Sequence, residues 1–371
     1  MNIPLVDLQT QYEAIRADID AAIANVIRDT AFVGGKYVKS FEESFAEYCG
    51  TSYAVGVSNG TDAIRLALLA CDIGPGDEVI TVPNTFIATF EAIHATGATV
   101  RFVDVDPDTF NMDPSLLAAA ITPRTRAIVP VHLYGQPADM NPILRIAREH
   151  GLRVIGDAAQ AHAARYHNSP IGTIGDAVTF SFYPGKNLGA YGDAGAIVTN
   201  DKEIAEKAAK LRDHGRTTKY EHDTIGFNCR LDGLQAAILS AKLPYLDEWT
   251  AARRRNAGLY NSLLADVGSI QTPTEMEEVF AVYHLYVIQT DERERLQSCL
   301  KESGISTGIH YPIPLHLQPA LAHLNLARGN FPVTESHADR ILSLPMYPEL
   351  SAEHIERAAA TIKNALAASY V

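Results

Sequence analysis

Lys186 stands in the run Ser181-Phe182-Tyr183-Pro184-Gly185-Lys186-Asn187-Leu188-Gly189, and Asp157 closes the apolar stretch Arg153-Val154-Ile155-Gly156, with Gln160 and His162 just beyond it. An amine and a strand-end carboxylate are the two groups that pyridoxal phosphate chemistry requires. The lysine holds the cofactor as a Schiff base, and the anion keeps the pyridine nitrogen protonated, so that the ring accepts electrons from a substrate carbon. Each residue alone has a plainer reading. Most lysines are solvated, and an isolated aspartate after a strand is more often a helix cap. The weight comes from the combination, and from Tyr183, Pro184, Gly185 and Gly189, which enclose the lysine.

Other groups extend the pattern. Gly60-Thr61-Asp62 lies between a strand and a helix, where backbone amides, a hydroxyl and the helix dipole suit a phosphate. Thr61 as a simple helix cap is the commoner arrangement. Phe86, after Pro83-Asn84-Thr85, has the shape to stack on an aromatic cofactor, or to fill a core. No Walker pattern and no Gly-x-Gly-x-x-Gly occurs, so an ordinary nucleotide fold is poorly supported. His310 and His316 are separated by Tyr311, Pro312 and Pro314 and do not form a helical metal pair; their segment reads as a loop that contacts substrate. Arg212-Asp213-His214-Gly215-Arg216, with Tyr220, His222 and Arg230, has donors for phosphates but reads on its own as a solvated face.

The elements that must position these residues follow a clear rhythm. Short β-branched runs at Tyr53–Val57, Glu78–Val82, Thr99–Asp104, Ala127–Val131, Arg153–Asp157, Ala177–Ser181 and Ala196–Thr199 alternate with helical stretches. That alternation predicts a mostly parallel sheet of seven strands covered by helices on both faces. Ligands of such sheets collect at the strand ends that lead into helices, where Asn59, Thr85, Asp157 and Ser181 fall. Start and stop signals predict helices over Asp62–Cys71 and Met140–His150. Helical spacing from Asp232 to Leu264, broken at Pro244, marks a bridge between domains. A strand over Val279–Thr290 and helices over Glu292–Gly304 and Glu353–Ser369 complete the expectation. The reading is an α/β fold with a large cofactor domain, residues 1–245 including an N-terminal helical segment, and a small C-terminal α/β domain, residues 246–371.

Composition narrows the class. The 371 residues are 47% hydrophobic, enough for a sizeable core. With 31 Lys and Arg against 44 Asp and Glu, the formal charge is −13, which argues against a general affinity for nucleic acid or anionic membranes. Four scattered cysteines, no basic-then-apolar leader and no membrane-length apolar run point to a cytoplasmic chain.

Taken together, these motifs resemble the sugar aminotransferases of the DegT/DnrJ/EryC1/StrS family, which have the aspartate-aminotransferase-like fold of pyridoxal phosphate enzymes. The resemblance runs through most of the chain. It is carried by Phe41-Glu42 to Thr61-Asp62-Ala63, Val82-Pro83-Asn84-Thr85-Phe86-Ile87-Ala88-Thr89, Pro130-Val131-His132-Leu133-Tyr134-Gly135-Gln136, Asp157-Ala158-Ala159-Gln160-Ala161-His162, Ser181 to Gly189, and Gly226-Phe227-Asn228-Cys229-Arg230-Leu231-Asp232. It implies that Lys186 forms the Schiff base, Asp157 meets the pyridine nitrogen, Gln160 the ring hydroxyl and Phe86 the ring face. Gly60, Thr61 and Ser181 would hold the phosphate, with Asp62 in the same turn. Asn228 would reach the phosphate of a neighbouring subunit, so a homodimer with shared active sites is expected. Two positions depart from the family pattern: Ala163 and Ala194 stand where glycine is usual.

The resemblance further implies a nucleotide-linked keto sugar as acceptor and L-glutamate as amino donor. The chain looks most like the members that aminate C3 of a dTDP-3-keto-6-deoxyhexose; members acting on dTDP- or UDP-4-keto sugars, or on UDP-3-keto-N-acetyl sugar acids, share most of the motifs. Tyr183, Tyr220, Arg230, His310, Tyr311 and His316 are the candidates for sugar and nucleotide contacts. A reading from another class is a regulatory protein that binds the cofactor with little turnover.

Overall fold

The computed structural model describes residues 2–367. The chain opens with three helices, α1 Leu8–Ala14, α2 Arg16–Arg28 and α3 Gly35–Cys49. It then alternates: β1 Tyr53–Val57, α4 Gly60–Ala70, β2 Glu78–Thr81, α5 Ile87–His94, β3 Thr99–Phe102, α6 Leu117–Ala120, β4 Thr125–Ile128, α7 Met140–His150 and β5 Arg153–Asp157. A short hairpin, β6 Arg165–Tyr166 and β7 Ser169–Pro170, precedes β8 Ala177–Ser181, β9 Gly195–Thr199 and α8 Lys202–Leu211.

Among the described residues these strands build a seven-stranded sheet in the order β1-β9-β8-β5-β4-β2-β3, parallel at every pairing except the two made by β9. Six strands therefore point one way, and β1, β2, β5 and β8 deliver Asn59, Thr85, Asp157 and Ser181 to the same end of the sheet. Both faces are covered, as a mostly parallel sheet requires. Alternate residues such as Ile80, Ile128, Val154 and Val178 enter one core with Phe41 and Phe45 of α3. Val79, Val129, Ile155 and Ala177 enter the opposite core with α4, α5 and α8.

The helical stretch expected from Asp232 to Leu264 is α9 Gly233–Lys242, a 3-10 turn at Leu243–Tyr245, and α10 Leu246–Leu264, so Pro244 interrupts the helix as expected. Beyond it lie β10 Val279–Phe280, β11 Tyr286–Gln289, α11 Arg293–Glu302, α12 Pro332–Arg340, β12 Ile341–Leu344 and α13 Ala352–Ala367. A third apolar core joins Tyr260, Tyr286, Ile288, Leu342, Leu344, Ile355 and Ile362. The expected end of the closing helix, Ser369, lies outside the described residues.

The single strand expected over Val279–Thr290 is two. β10 pairs with β6 and β11 with β12, while residues 281–285 cross toward the main sheet. There the Val282 amide donates to the Gly135 carbonyl at 2.9 Å and the Leu285 amide to that of Tyr134 at 3.3 Å. Tyr283, at φ +45°, turns the chain out of extended geometry despite its strand-like composition.

Candidate active site

At the shared strand end the elements enclose a cavity of about 490 Å³, within the usual range for small-molecule sites. Of the residues singled out in the sequence, Gly60, Thr61, Phe86, Asp157, Gln160, Ser181, Tyr183, Lys186 and Tyr311 line it. The N-terminus of α4 forms one wall. Its cap is Asn59, whose side chain accepts from the Asp62 amide at 2.8 Å, so Thr61 is not the cap and its hydroxyl is left to the cavity. Gly60 presses against β8: a Cβ there would lie 2.7 Å from the Ser181 Cβ, so only glycine lets the helix start meet this strand end.

Asp62 does not line the cavity. Its carboxylate bonds the Ser58 hydroxyl, Asn59 Nδ2 at 3.0 Å and Arg65 at 2.6 Å. Asp62 was expected among the cofactor contacts; its carboxylate is instead tied into the turn by these three partners.

Lys186 sits in a tightly closed loop. Its amide donates to the Tyr183 carbonyl at 2.8 Å, and the Ala190 amide to that of Phe182 at 2.8 Å. Gly189 is compulsory, since a Cβ there would fall 2.2 Å from the Pro184 oxygen. Burial pulls the Lys186 ammonium down to about 8, against the opposing pull of Asp157. That brings its titration nearer to neutral pH than that of an ordinary lysine, as a proton carrier needs.

Asp157 is 5% exposed. It accepts from the Thr89 hydroxyl at 2.8 Å and from the Ala159 amide at 3.2 Å. Burial pushes its carboxyl above the ordinary 3.8, while these two bonds and the Lys186 charge hold it down. A cation beside it, such as a protonated pyridine, favours the anion further. Thr89 in turn contacts the Thr85 hydroxyl at 3.0 Å. Sequence reasoning missed this pair; the available signal was two hydroxyl residues four apart at a helix start, one turn of one face.

The Gln160 side chain accepts from the Tyr134 amide at 2.7 Å through Oε1, and its Nε2 lies 3.3 Å from the Tyr311 hydroxyl. The donor end of the amide is thereby aimed at the cavity, as a ring oxygen needs. Phe86 is 54% exposed, which excludes the core reading, and lies 5.7 Å from the Tyr311 ring at a 38° tilt. An exposed phenylalanine on a cavity wall is a surface for an aromatic ligand.

Besides Asp62, five of the expected substrate or cofactor contacts lie outside this cavity. His316 is a correction: it is 2% exposed, bonded through Nε2 to Glu335 at 2.9 Å and packed on Phe331, so it cannot touch a substrate. Tyr220 is exposed on its loop, and Asn228 is exposed with its backbone paired to Asp213. Arg230 bonds Asp213 at 3.2 Å. His310 also stands off: its Nδ1 lies 2.8 Å from the Ser343 hydroxyl and its carbonyl accepts from Tyr134, which fixes the neighbouring Tyr311. The solvated-face reading fails for Arg212, which is half-buried against Glu42 and the Gly56 carbonyl.

The residues fit pyridoxal phosphate. One cavity brings together an amine of lowered pKa, a buried acceptor-only carboxylate, an exposed aromatic face, and a helix N-terminus pressed on Ser181. Ala163, where glycine was expected, adopts φ +70°, a left-handed conformation that glycine takes without strain. Among the described residues no group of three or more His, Cys, Asp or Glu is placed to hold a metal ion, and no helix is long and apolar enough to cross a membrane.

Comparison with known proteins agrees with this geometry. The model of the DegT/DnrJ/EryC1/StrS aminotransferase family matches residues 13–363. The chain is 50% identical to the "pleiotropic regulatory protein" of Geobacillus stearothermophilus, over 95% of each chain. It is 47% identical to the dTDP-3-amino-3,4,6-trideoxy-alpha-D-glucose transaminase of Streptomyces venezuelae, over 94% of this chain and 92% of the relative. The crystal structure of S. venezuelae DesV in complex with a ketimine intermediate superposes with a TM-score of 0.96 at 46% identity, covering 98% of both chains. The chain belongs to the DegT/DnrJ/EryC1/StrS aminotransferase family and is a pyridoxal phosphate-dependent sugar aminotransferase.

Proposed function

We propose that the enzyme aminates C3 of a dTDP-linked 3-keto-6-deoxyhexose, with L-glutamate as the amino donor. The observation that carries the chemistry is the meeting of Lys186, Asp157, Gln160 and Phe86 in one cavity beside the N-terminus of α4. The sugar is supported by the transaminase of S. venezuelae, similar over nearly its whole length.

Bound pyridoxal phosphate supplies a carbonyl that takes up an amino group and an electron-poor ring that stabilises negative charge on the attached carbon. The protein supplies the rest. Lys186 Nζ would be the attachment point and, once free, would move a proton from the donor carbon to the cofactor carbon that carries the exchanged nitrogen. Asp157 would hold the proton on the ring nitrogen, and Thr89 and Ala159 hold Asp157. Gln160 Nε2 would donate to the ring hydroxyl, Phe86 would cover the ring, and Gly60, Thr61 and Ser181, which line the same cavity, would hold the phosphate. Tyr183 and Tyr311, on the cavity wall, are placed for the sugar.

Tyr220, Asn228 and Arg230 lie outside the cavity of their own chain. In a homodimer they complete the site of the neighbouring subunit, where Arg230 and Asn228 supply donors for phosphate oxygens.

The name of the relative at 50% identity favours a second reading, a regulator that binds the cofactor with little turnover. A binder has no use for a proton-carrying lysine beside a full electron sink. The visible spectrum with and without L-glutamate separates the two: an enzyme converts the cofactor band, and a binder leaves it unchanged. Amination of dTDP-3-keto, dTDP-4-keto and UDP-3-keto sugars, with the product's amino position read by NMR, then tests the acceptor. Product only from a 4-keto sugar overturns the C3 assignment.

A further inference from the structure

We propose that Asn187 is a positioning residue for Lys186: its side-chain amide fastens the lysine loop to residues 281–285, and so fixes where Lys186 Nζ meets the donor carbon. The proposal rests on the role given to Lys186 above.

Asn187 is 3% exposed and does not line the cavity. Its Nδ2 donates to the Val282 carbonyl at 3.2 Å, and its Oδ1 lies 3.2 Å from His284 Nδ1. The orientation of the amide follows from its partners. A carbonyl only accepts, so the nitrogen must face Val282; the oxygen then faces His284, whose proton must be on Nδ1. His284 is itself buried, and burial together with the nearby Lys186 charge keeps it neutral. It is thus a fixed single-tautomer donor.

The anchor is as rigid as the bolt. The Val282 amide donates to the Gly135 carbonyl at 2.9 Å, and the buried Arg253 donates to the carbonyls of Tyr283 and His284 at 3.2 Å each. Two residues beyond Asn187, the Gly189 carbonyl accepts from Lys242 Nζ at 2.8 Å. The loop is therefore gripped at two points just after Lys186, from two different parts of the chain.

Neighbouring Cα atoms are fixed about 3.8 Å apart, so a displacement of Asn187 passes to Lys186 with little loss. Proton transfer needs hydrogen-bond reach, and a misplacement of about 1 Å costs on the order of 100-fold in rate. Cofactor contacts depend on other residues and need not change. Loss of the clamp is thus a defect of proton transfer more than of binding.

The test uses the cofactor-loaded enzyme and its Asn187→Ala and Asn187→Asp variants. Asn187→Asp is the same size and keeps the acceptor for His284 but sets an oxygen against the Val282 carbonyl, so it reads the clamp if the alanine variant fails to fold. The glutamate half-reaction is followed by stopped-flow absorbance with protonated and α-deuterated L-glutamate. The proposal expects a rate 10- to 100-fold lower, a larger deuterium isotope effect and a glutamate saturation constant within about twofold of wild type. A second readout needs no turnover: in cofactor-free protein, the pH dependence of Lys186 acetylation, read by mass spectrometry, moves upward as the loosened loop admits water. A slower rate with an unchanged isotope effect, or a loss confined to cofactor content and melting temperature, reduces Asn187 to a structural residue and overturns the proposal. So does an unchanged rate. Lys186→Ala runs alongside; if it keeps the half-reaction, the role of Lys186 fails, independently of the clamp.

Discussion

The Thr89 hydroxyl donates to Asp157 Oδ2 at 2.8 Å, and because its one proton is used there, the 3.0 Å contact with Thr85 must be a bond that Thr89 accepts. The two hydroxyls form a buried, directed pair that favours the Asp157 anion against the desolvation that pushes its carboxyl up. Thr89→Val keeps the shape and removes the donor. A hydrogen bond to a charged group contributes about 1.5–3 kcal/mol, so kcat/KM should fall by roughly 10- to 100-fold. The active form is the anion, and losing the donor raises the Asp157 pKa. The acidic limb of the pH–rate profile therefore moves to higher pH, whereas a purely structural defect lowers the profile without shifting it. Thr85→Val, one bond further away, should give a smaller shift of the same sign.

Much of the site was legible because its residues end strands. Asp157 and Ser181 close predicted strands that the structure reproduces, and strand ends are where a parallel sheet opens to ligands. What escaped is carried by partners distant in sequence. Thr89 meets Asp157 across 68 positions and Asn187 meets Val282 across 95; the spacing of Thr85 and Thr89 pairs the two hydroxyls but does not point to Asp157, and nothing local points from Asn187 to Val282. His316 misled for the opposite reason: a histidine in a proline-rich loop looks like a substrate contact until Glu335, 19 residues on, buries it. At α4 the cap fell two residues before Thr61, a shift within the usual uncertainty of helix ends.

Ala163 adopts the left-handed backbone that glycine occupies freely. The strain on a side chain there is about 1–2 kcal/mol, and glycine gives back about 0.4–1 kcal/mol through its freer unfolded chain. Ala163→Gly should therefore stabilise the protein by up to about 1.6 kcal/mol, read as a higher urea midpoint, with kcat unchanged. A lower midpoint would show that the Ala163 methyl contributes packing that outweighs the strain.

Lys242 is a fully buried lysine with no part in the chemistry; it bonds Gln11 at 3.0 Å and the Gly189 carbonyl at 2.8 Å, and lies 4.3 Å from the centre of the Tyr191 ring. Burial draws it from 10.5 down to about 8, with Glu349 opposing. Between those two values the unfolded chain holds the proton that the folded chain has released, so stability contributed by this group rises with pH from about 8 toward 10 and is flat below 8. Lys186 has a shift of the same sign, so the comparison must be with Lys242→Met, which keeps Lys186. Urea unfolding at pH 7.5 and 9.5 should show wild type gaining ~2 kcal/mol relative to Lys242→Met. Parallel behaviour of the two proteins would mean that Lys242 titrates as an ordinary lysine.

Asn228 stands outside the cavity of its own chain, while Lys186 lines it, and this separation makes the shared site testable by subunit mixing. In a homodimer with shared sites, a Lys186→Ala subunit still offers Asn228 to its partner, and an Asn228→Ala subunit still carries a working lysine. Each variant alone has every site damaged. A mixed dimer has one site with both residues intact and one with neither. Random exchange at equal amounts makes half of the dimers mixed, so activity should return to about a quarter of wild type. Sedimentation must show dimers, and exchange must be verified with a tagged subunit. Exchange without recovered activity would place Asn228 outside the shared site, and a monomer in sedimentation would remove the two-chain site altogether.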